Sequence, residues 1–197
     1  GSRTCTELKT LEEEITSLGG ECFSHELDVS SVDSIRRFMK AVESNYDRID
    51  VLINNAGYNQ LGPILDCSEA LYDRIVDTNL KNVFFCSQTV AQHMIDHQIH
   101  GSIINISSQA GLVGAPERGA YSGAKAGVNN LTRTMAAEWA PHGIRVNVVA
   151  PTVTRSPLAE AAVNASSRFA QAIKQNNLIR GDLAEPEEIA APVIFLA

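Results

Sequence analysis

The strongest constraint on this chain is a rhythm: short apolar runs alternate with longer segments in which apolar residues recur at helical spacing. Leu8, Leu11, Ile15 and Leu18 mark a first amphipathic helix, stopped by Gly19-Gly20. Residues 21–29 predict a short strand. Ser30 or Ser31 then caps a helix carrying Ile35, Phe38, Met39 and Val42. The run Ile49-Asp50-Val51-Leu52-Ile53 predicts a buried strand leaving through Asn54-Asn55-Ala56-Gly57. A long helical stretch covers residues 69–97 with a break near Asp77, and residues 102–106 predict another buried strand. A helix over 120–139 and a strand over 144–149 follow. Residues 151–181 read as irregular or partly helical, and Glu185-Pro186-Glu187-Glu188 opens a last helix.

Apolar strands separated by helices imply a parallel sheet covered on both faces, a three-layer, doubly wound α/β fold of Rossmann type. Its ligands bind outside the carboxyl ends of the strands. No repeat, linker or low-complexity tract divides residues 1–197, so a single domain is expected. Such a nucleotide-binding fold normally opens with a strand, a glycine-rich turn and a helix. No such opening precedes the first helical segment, and the chain ends inside helical sequence. The sheet is therefore expected to be truncated at both ends in this sequence.

The net charge of −7 argues against general affinity for nucleic acid or anionic membranes, though local donors can still hold a phosphate. Cys5, Cys22, Cys67 and Cys86 form no C-x-x-C pair and suit reduced thiols in a cytoplasmic protein. No apolar run reaches the roughly 18 residues of a membrane span, and no leader pattern is present. His93 and His97, four apart, offer at most the edge of a metal site; with no third ligand evident they read as exposed helix histidines, and no metal is expected.

The chemistry concentrates in two segments. Tyr121-Ser122-Gly123-Ala124-Lys125 puts a phenol and an ammonium on one helix face. A free phenol has a pKa of about 10, and a nearby ammonium favours the phenolate. Such a tyrosine can exchange a proton as general acid or base. The strand over 102–106 runs into Ser107-Ser108, thirteen positions before Tyr121. A hydroxyl there can donate to a substrate carbonyl oxygen, although a helix N-cap serine is the plainer reading of Ser108 taken alone.

Asn54-Asn55-Ala56-Gly57, Asn79, the serine strand, Tyr121-x-x-x-Lys125 and Asn147-x-x-x-Pro151 stand in the order and spacing of classical short-chain dehydrogenases/reductases, and the chain resembles that family along nearly its whole length. The resemblance implies a nicotinamide-dependent oxidoreductase interconverting carbonyl and alcohol groups on a small molecule. Tyr121 is then the proton donor or acceptor, and Lys125 lowers its pKa and binds the nicotinamide ribose. Ser108 orients the substrate oxygen. Asn79 holds a water linking Lys125 to solvent, its alternative being a helix-kink amide. Asp28 and Val29 meet the adenine ring, unless Asp28 serves turn chemistry. Asn54, Asn55, Ala56 and Gly57 pass beneath the adenosine ribose, unless the asparagines chiefly brace the sheet. Pro151, Thr152 and Thr154 lie near the nicotinamide carboxamide.

The chain departs from the family pattern at Thr152, where glycine usually follows the proline; this leans toward a sugar or polyol substrate, with oxoacyl compounds also in range. Arg3, at the end of the expected second strand, resembles members that prefer NADP(H) over NAD(H), whose arginine pairs with the 2′-phosphate, unless it is an ordinary surface arginine. Gly123, Ala124, Ala126 and Gly127 are small enough for close helix contact, and the resemblance implies a homo-tetramer or homo-dimer. The rival from another class is a non-catalytic binding or scaffold protein of the same fold. Retention of Ser108, Tyr121, Lys125 and Asn79 speaks against it.

Overall fold

The computed structural model describes residues 1–165, 167–176 and 181–197. In chain order the elements are α1 (Cys5–Ser17), α2 (Val32–Glu43), β1 (Val51–Asn54), α3 (Glu69–Val76), α4 (Asn82–Asp96), β2 (Ser102–Ile106), α5 (Gly119–Trp139), β3 (Arg145–Val149), α6 (Pro157–Ala165), α7 (Ser167–Asn176) and α8 (Pro186–Leu196). The three strands form one parallel sheet in the order β1-β2-β3. Parallel neighbours need a crossover, and α3–α4 and α5 supply the two.

The central strand β2 is apolar on both faces, and its Ile103 and Ile104 are fully buried. On one side Ile103 joins Met39, Val90, Ala91, Met94, Met135, Ile144 and Val146 in a continuous core. The register sets Asn54 opposite Asn105. Two amides side by side in a dry interior must satisfy each other or neighbours. Asn54 Nδ2 donates to Asn105 Oδ1 (2.8 Å) and Ser87 Oγ (2.9 Å), and Asn105 Nδ2 donates to Thr132 Oγ1 (2.9 Å). Thr132 in turn donates to the Val128 carbonyl (2.7 Å). This one chain of bonds ties β1 and β2 to α4 and α5. Asn54 therefore braces the sheet with its side chain.

The break expected near Asp77 is a π-turn over Asp77–Lys81 that joins α3 to α4. At its centre Asn79 is fully buried; its Nδ2 donates to the carbonyls of Ile75 (2.8 Å) and Tyr58 (2.6 Å), and its Oδ1 accepts from Tyr58 N–H (3.3 Å). The last helix begins as the acidic cluster predicts, with Glu185 and Glu188 forming a reciprocal capping box.

Two expectations need correction. Residues 21–29 do not form a strand: they make a single bridge, Glu26 to Ser2, with Leu27 N–H donating to Ser2 O (3.0 Å). The Asp28 carboxylate takes the Ser30 N–H (3.0 Å) and hydroxyl (2.7 Å), so the chain turns where a strand would continue. His93 is buried rather than exposed. It faces α2, where its Nδ1 lies 3.1 Å from Glu43 Oε1, and it stacks on the exposed His97 ring at 4.2 Å. Within residues 151–181, α6 and α7 form two helices, and residues 166 and 177–180 lie outside the described residues.

The amide network yields a prediction. Asn105→Ala should lower the unfolding free energy by about 2 kcal/mol, because Asn54 and Thr132 keep buried polar groups without partners. Urea unfolding with an unchanged m-value and a lower midpoint is the expected result.

Candidate active site

The carboxyl ends of the strands bring the sequence-predicted residues together. β2 ends at Ile106, and the chain runs through Ser107 and Ser108 into a short 3-10 turn over Gln109–Gly111. Ser108 is extended (φ −162°, ψ 155°), and its hydroxyl accepts from Ala110 N–H at 3.2 Å, so the capping role is real. The same hydroxyl acts on the Tyr121 phenol in the direction that favours its anion.

Three contacts fix α5 against this turn. Ser107 Oγ donates to the Lys125 carbonyl (3.1 Å), and Asn129 Nδ2 donates to the Gly111 carbonyl (3.0 Å). Gly111 itself lies so close that a Cβ would stand 2.7 Å from Lys125 C and 2.9 Å from Ala126 N, which only glycine tolerates. Sequence reasoning missed Ser107, Gly111 and Asn129. A small residue beside a serine pair is the only signal they carry.

Lys125 is 4% exposed, and its Nζ donates to the Ile106 carbonyl at 2.8 Å. Burial lowers its pKa from 10.5 to about 8. The ammonium nitrogen stands 5.7 Å from the Tyr121 ring centroid. The phenol's net shift is upward, against the direction expected of a nearby ammonium. Burial raises the phenol above its ordinary 10.0, and the opposing influences are the Ser108 hydrogen bond and the charge of Arg118. A phenol enclosed by protein loses the water that stabilises its anion, and here that loss outweighs both partners.

Gly57 marks the junction between this cluster and the exit loop of β1. A Cβ there would stand 3.2 Å from Asn79 Oδ1 and 3.9 Å from Lys125 Nζ. The Asn79 side chain is committed to Tyr58 and Ile75, which is the helix-kink reading, and through Tyr58 it holds the 54–58 loop beside Lys125.

A cavity of about 400 Å³ borders the outer side of β1. Arg3, Asp28, Asn55, Ala56 and Gly57 line it together with the apolar Ile35, Met39, Leu52 and Val90. Val29 and Asn54 also line it. The predicted dinucleotide residues before Asn79 thus share one hollow. Arg3 acts on Asp28, whose carboxyl is held below its usual range mainly by Ser30 and to a lesser degree by Arg3. Pro151, Thr152 and Thr154 do not line this hollow. The Pro151 carbonyl accepts from Gln109 N–H (2.8 Å) next to Ser108, Thr154 Oγ1 donates to the Thr152 carbonyl (3.2 Å), and Thr154 bridges to Ala184.

A second cavity, about 850 Å³, lies between the 60–67 loop and the start of α5 and includes Tyr121, Arg118 and Tyr72. No group of three or more possible metal ligands occurs among the described residues. No described helix is long and apolar enough to cross a membrane.

Comparison with known proteins agrees with this geometry. Residues 2–167 match the family model described as short chain dehydrogenase. The 3-oxoacyl-(acyl-carrier-protein) reductase FabG of Thermotoga maritima is 36% identical over 193 residues, covering 96% of this chain and 75% of the relative. The 2-dehydro-3-deoxy-D-gluconate 5-dehydrogenase of Escherichia coli is 33% identical, covering 94% and 72%. A crystal structure of a putative short-chain alcohol dehydrogenase from Sinorhizobium meliloti superposes with a TM-score of 0.92 at 31% identity, over 100% of this chain and 77% of that one. With a matching family model over most of its length, relatives of this identity and a shared Rossmann-like parallel sheet, the chain belongs to the short-chain dehydrogenase/reductase family and is an oxidoreductase acting on CH–OH groups.

Proposed function

We propose that this enzyme interconverts a carbonyl and an alcohol on a small sugar, polyol or oxoacyl-type substrate, with NADP(H) preferred over NAD(H). The observation that carries the reading is the meeting of the Ser108 hydroxyl and the Tyr121 phenol above a buried Lys125. When bound, the nicotinamide supplies the hydride for reduction and receives it in oxidation. Ser108 donates a hydrogen bond to the substrate oxygen and so fixes its distance from the phenol. In reduction Tyr121 gives that oxygen a proton; in oxidation it takes one. Burial keeps the phenol protonated at neutral pH, which favours the donor role.

Lys125 carries its proton below about pH 8 and presents a positive charge beneath the ring while negative charge develops on the phenol oxygen. It is also the cation nearest Gly57, where it can reach a ribose hydroxyl. Arg3 lines the 400 Å³ hollow and supplies a guanidinium for a 2′-phosphate. Asn55, Ala56 and Gly57 offer the backbone against which an adenosine lies, and Asp28 and Val29 border the adenine position. Pro151, Thr152 and Thr154 follow β3 on the Ser108 side and would meet the carboxamide. We assign assembly to a homo-dimer or homo-tetramer, since Ile64, Leu65 and Tyr72 leave apolar surface exposed beside α5. Cys22, Cys67 and Cys86 are free thiols, which suits a cytoplasmic location.

Tyr121→Phe should reduce kcat by at least about 100-fold while the Kd for NADPH, followed by nucleotide fluorescence, stays within about twofold. Unchanged turnover refutes the assigned role. Arg3→Ala should weaken NADPH by about tenfold and NADH much less; equal losses would remove the basis for the NADP(H) preference.

The buried ammonium gives a stability prediction as well. Its folded pKa of about 8 lies below the ordinary 10.5, so the unfolded chain binds more protons between those values. Stability therefore rises with pH across that window. Lys125→Met should abolish most turnover yet be more stable than the parent at pH 7 by about 1–2 kcal/mol, the loss of the Ile106 bond offsetting part of the gain. The difference should shrink as pH rises above about 8 and change sign before 10.5, the parent then being the more stable, measured by denaturant titration at several pH values.

A further inference from the structure

Two side-chain bonds bracket Ser108 along the chain, and both end on α5. Before it, the Ser107 hydroxyl donates to the Lys125 carbonyl at 3.1 Å; after it, the Gly111 carbonyl accepts from Asn129 Nδ2 at 3.0 Å. Tyr121, Lys125 and Asn129 follow one another at intervals of four residues, which puts all three on one face of α5. The proton-transfer chemistry uses the first two and not the third.

Asn129 is a costly choice if its work is packing alone. It is only 4% exposed, and its Oδ1 is buried with no hydrogen-bond partner among the described residues. An acceptor taken out of water and left unpaired opposes folding, and an apolar side chain of similar size would fill the space without that penalty. What the asparagine supplies in return is one directed bond, to the Gly111 carbonyl. That bond acts close to Ser108. Gly111 N–H donates to the Ser108 carbonyl at 2.9 Å, and Ala110 N–H donates to the Ser108 hydroxyl at 3.2 Å. The entry of the same turn is held separately, by Gln109 N–H on the Pro151 carbonyl.

We infer that Asn129 is a positioning residue for the reaction: through Gly111 it sets where the Ser108 hydroxyl stands relative to the Tyr121 phenol. This rests on the carbonyl–alcohol reading above and adds a residue to it. Asn129 lines neither cavity, so its influence reaches the reacting atoms through the turn alone. The tolerance is small, because a hydroxyl and a phenol must meet the same substrate oxygen, and a misplacement of about 1 Å caused from a distance can cost about 100-fold in rate.

Asn129→Leu keeps the bulk and removes the donor, whereas Asn129→Gln keeps an amide. In NADPH-coupled reduction of ethyl acetoacetate, diacetyl and fructose by the full-length enzyme, Asn129→Leu should lower kcat by about tenfold or more. The Kd for NADPH should stay within about twofold, and Asn129→Gln should recover part of the loss in kcat. A second readout needs no substrate: the phenolate absorbance of Tyr121, taken as the difference from Tyr121→Phe in the same background. Ser108 favours the anion, so in Asn129→Leu the phenol should titrate at higher pH than in the parent, while Arg118 and Lys125, the charges beside it, are unaltered. A residue that only stabilised the fold would lower the yield of active enzyme and leave this titration where it was. If Asn129→Leu fails to fold, Asn129→Ser, too short to reach Gly111, is read in the same two ways. Unchanged kcat, or an unmoved titration, overturns the assignment. Absence of turnover by the parent with every carbonyl overturns the oxidoreductase reading instead, and the titration then decides the role of Asn129.

Discussion

The bond from Lys125 Nζ to the Ile106 carbonyl is the point on which the site depends. It joins the carboxyl end of the central strand to the middle of α5, inside protein, with a charge that water cannot reach. An ammonium in such a place is expensive, and its pKa falls to about 8 as a result. The surrounding contacts keep it there: Ser107 holds the Lys125 carbonyl, Asn129 holds Gly111, and the bare Gly111 lets the turn approach the helix backbone.

The second element of organisation is polar as well. Asn54, Asn105, Ser87 and Thr132 form a closed set of bonds where an apolar interior would pack with less demand on geometry. Such a network specifies one register between β1 and β2 and one rotation of α5. Register at this sheet matters for function, because a shift would move Asn55, Ala56 and Gly57 relative to Lys125. Sheet, helix and exit loop are thereby held to one another by directional bonds, and apolar packing around Met94 and Ile103 supplies the bulk of the driving force.

Much of this was legible in the residues. Periodicity and turn chemistry located the helices and the three strands, since buried strands and amphipathic helices have distinct repeats. The four-residue interval from Tyr121 to Lys125 foretold a shared helix face, and both groups do meet there. The direction of the phenol's shift was not legible, because spacing reports proximity to a charge and says nothing about lost water. His93 was misjudged for the same kind of reason: a histidine on a polar stretch can be covered by another helix, here α2 through Glu43. The strand over 21–29 failed because Asp28 found a local partner in Ser30 before a ladder could form.

The π-turn over Asp77–Lys81 has a consequence for how this protein can change. A π-turn is an ordinary helix with one residue too many, and each residue of helix advances by about 100°. Deleting a single position there would restore a regular helix and swing α3 by that angle relative to α4. Ile75 would leave the interior, Tyr58 would lose the amide that steadies it, and the floor beneath the cavity mouth would rotate away. Length in this segment is therefore far less negotiable than composition, and insertions tolerated elsewhere on the surface would be ruinous at this one place.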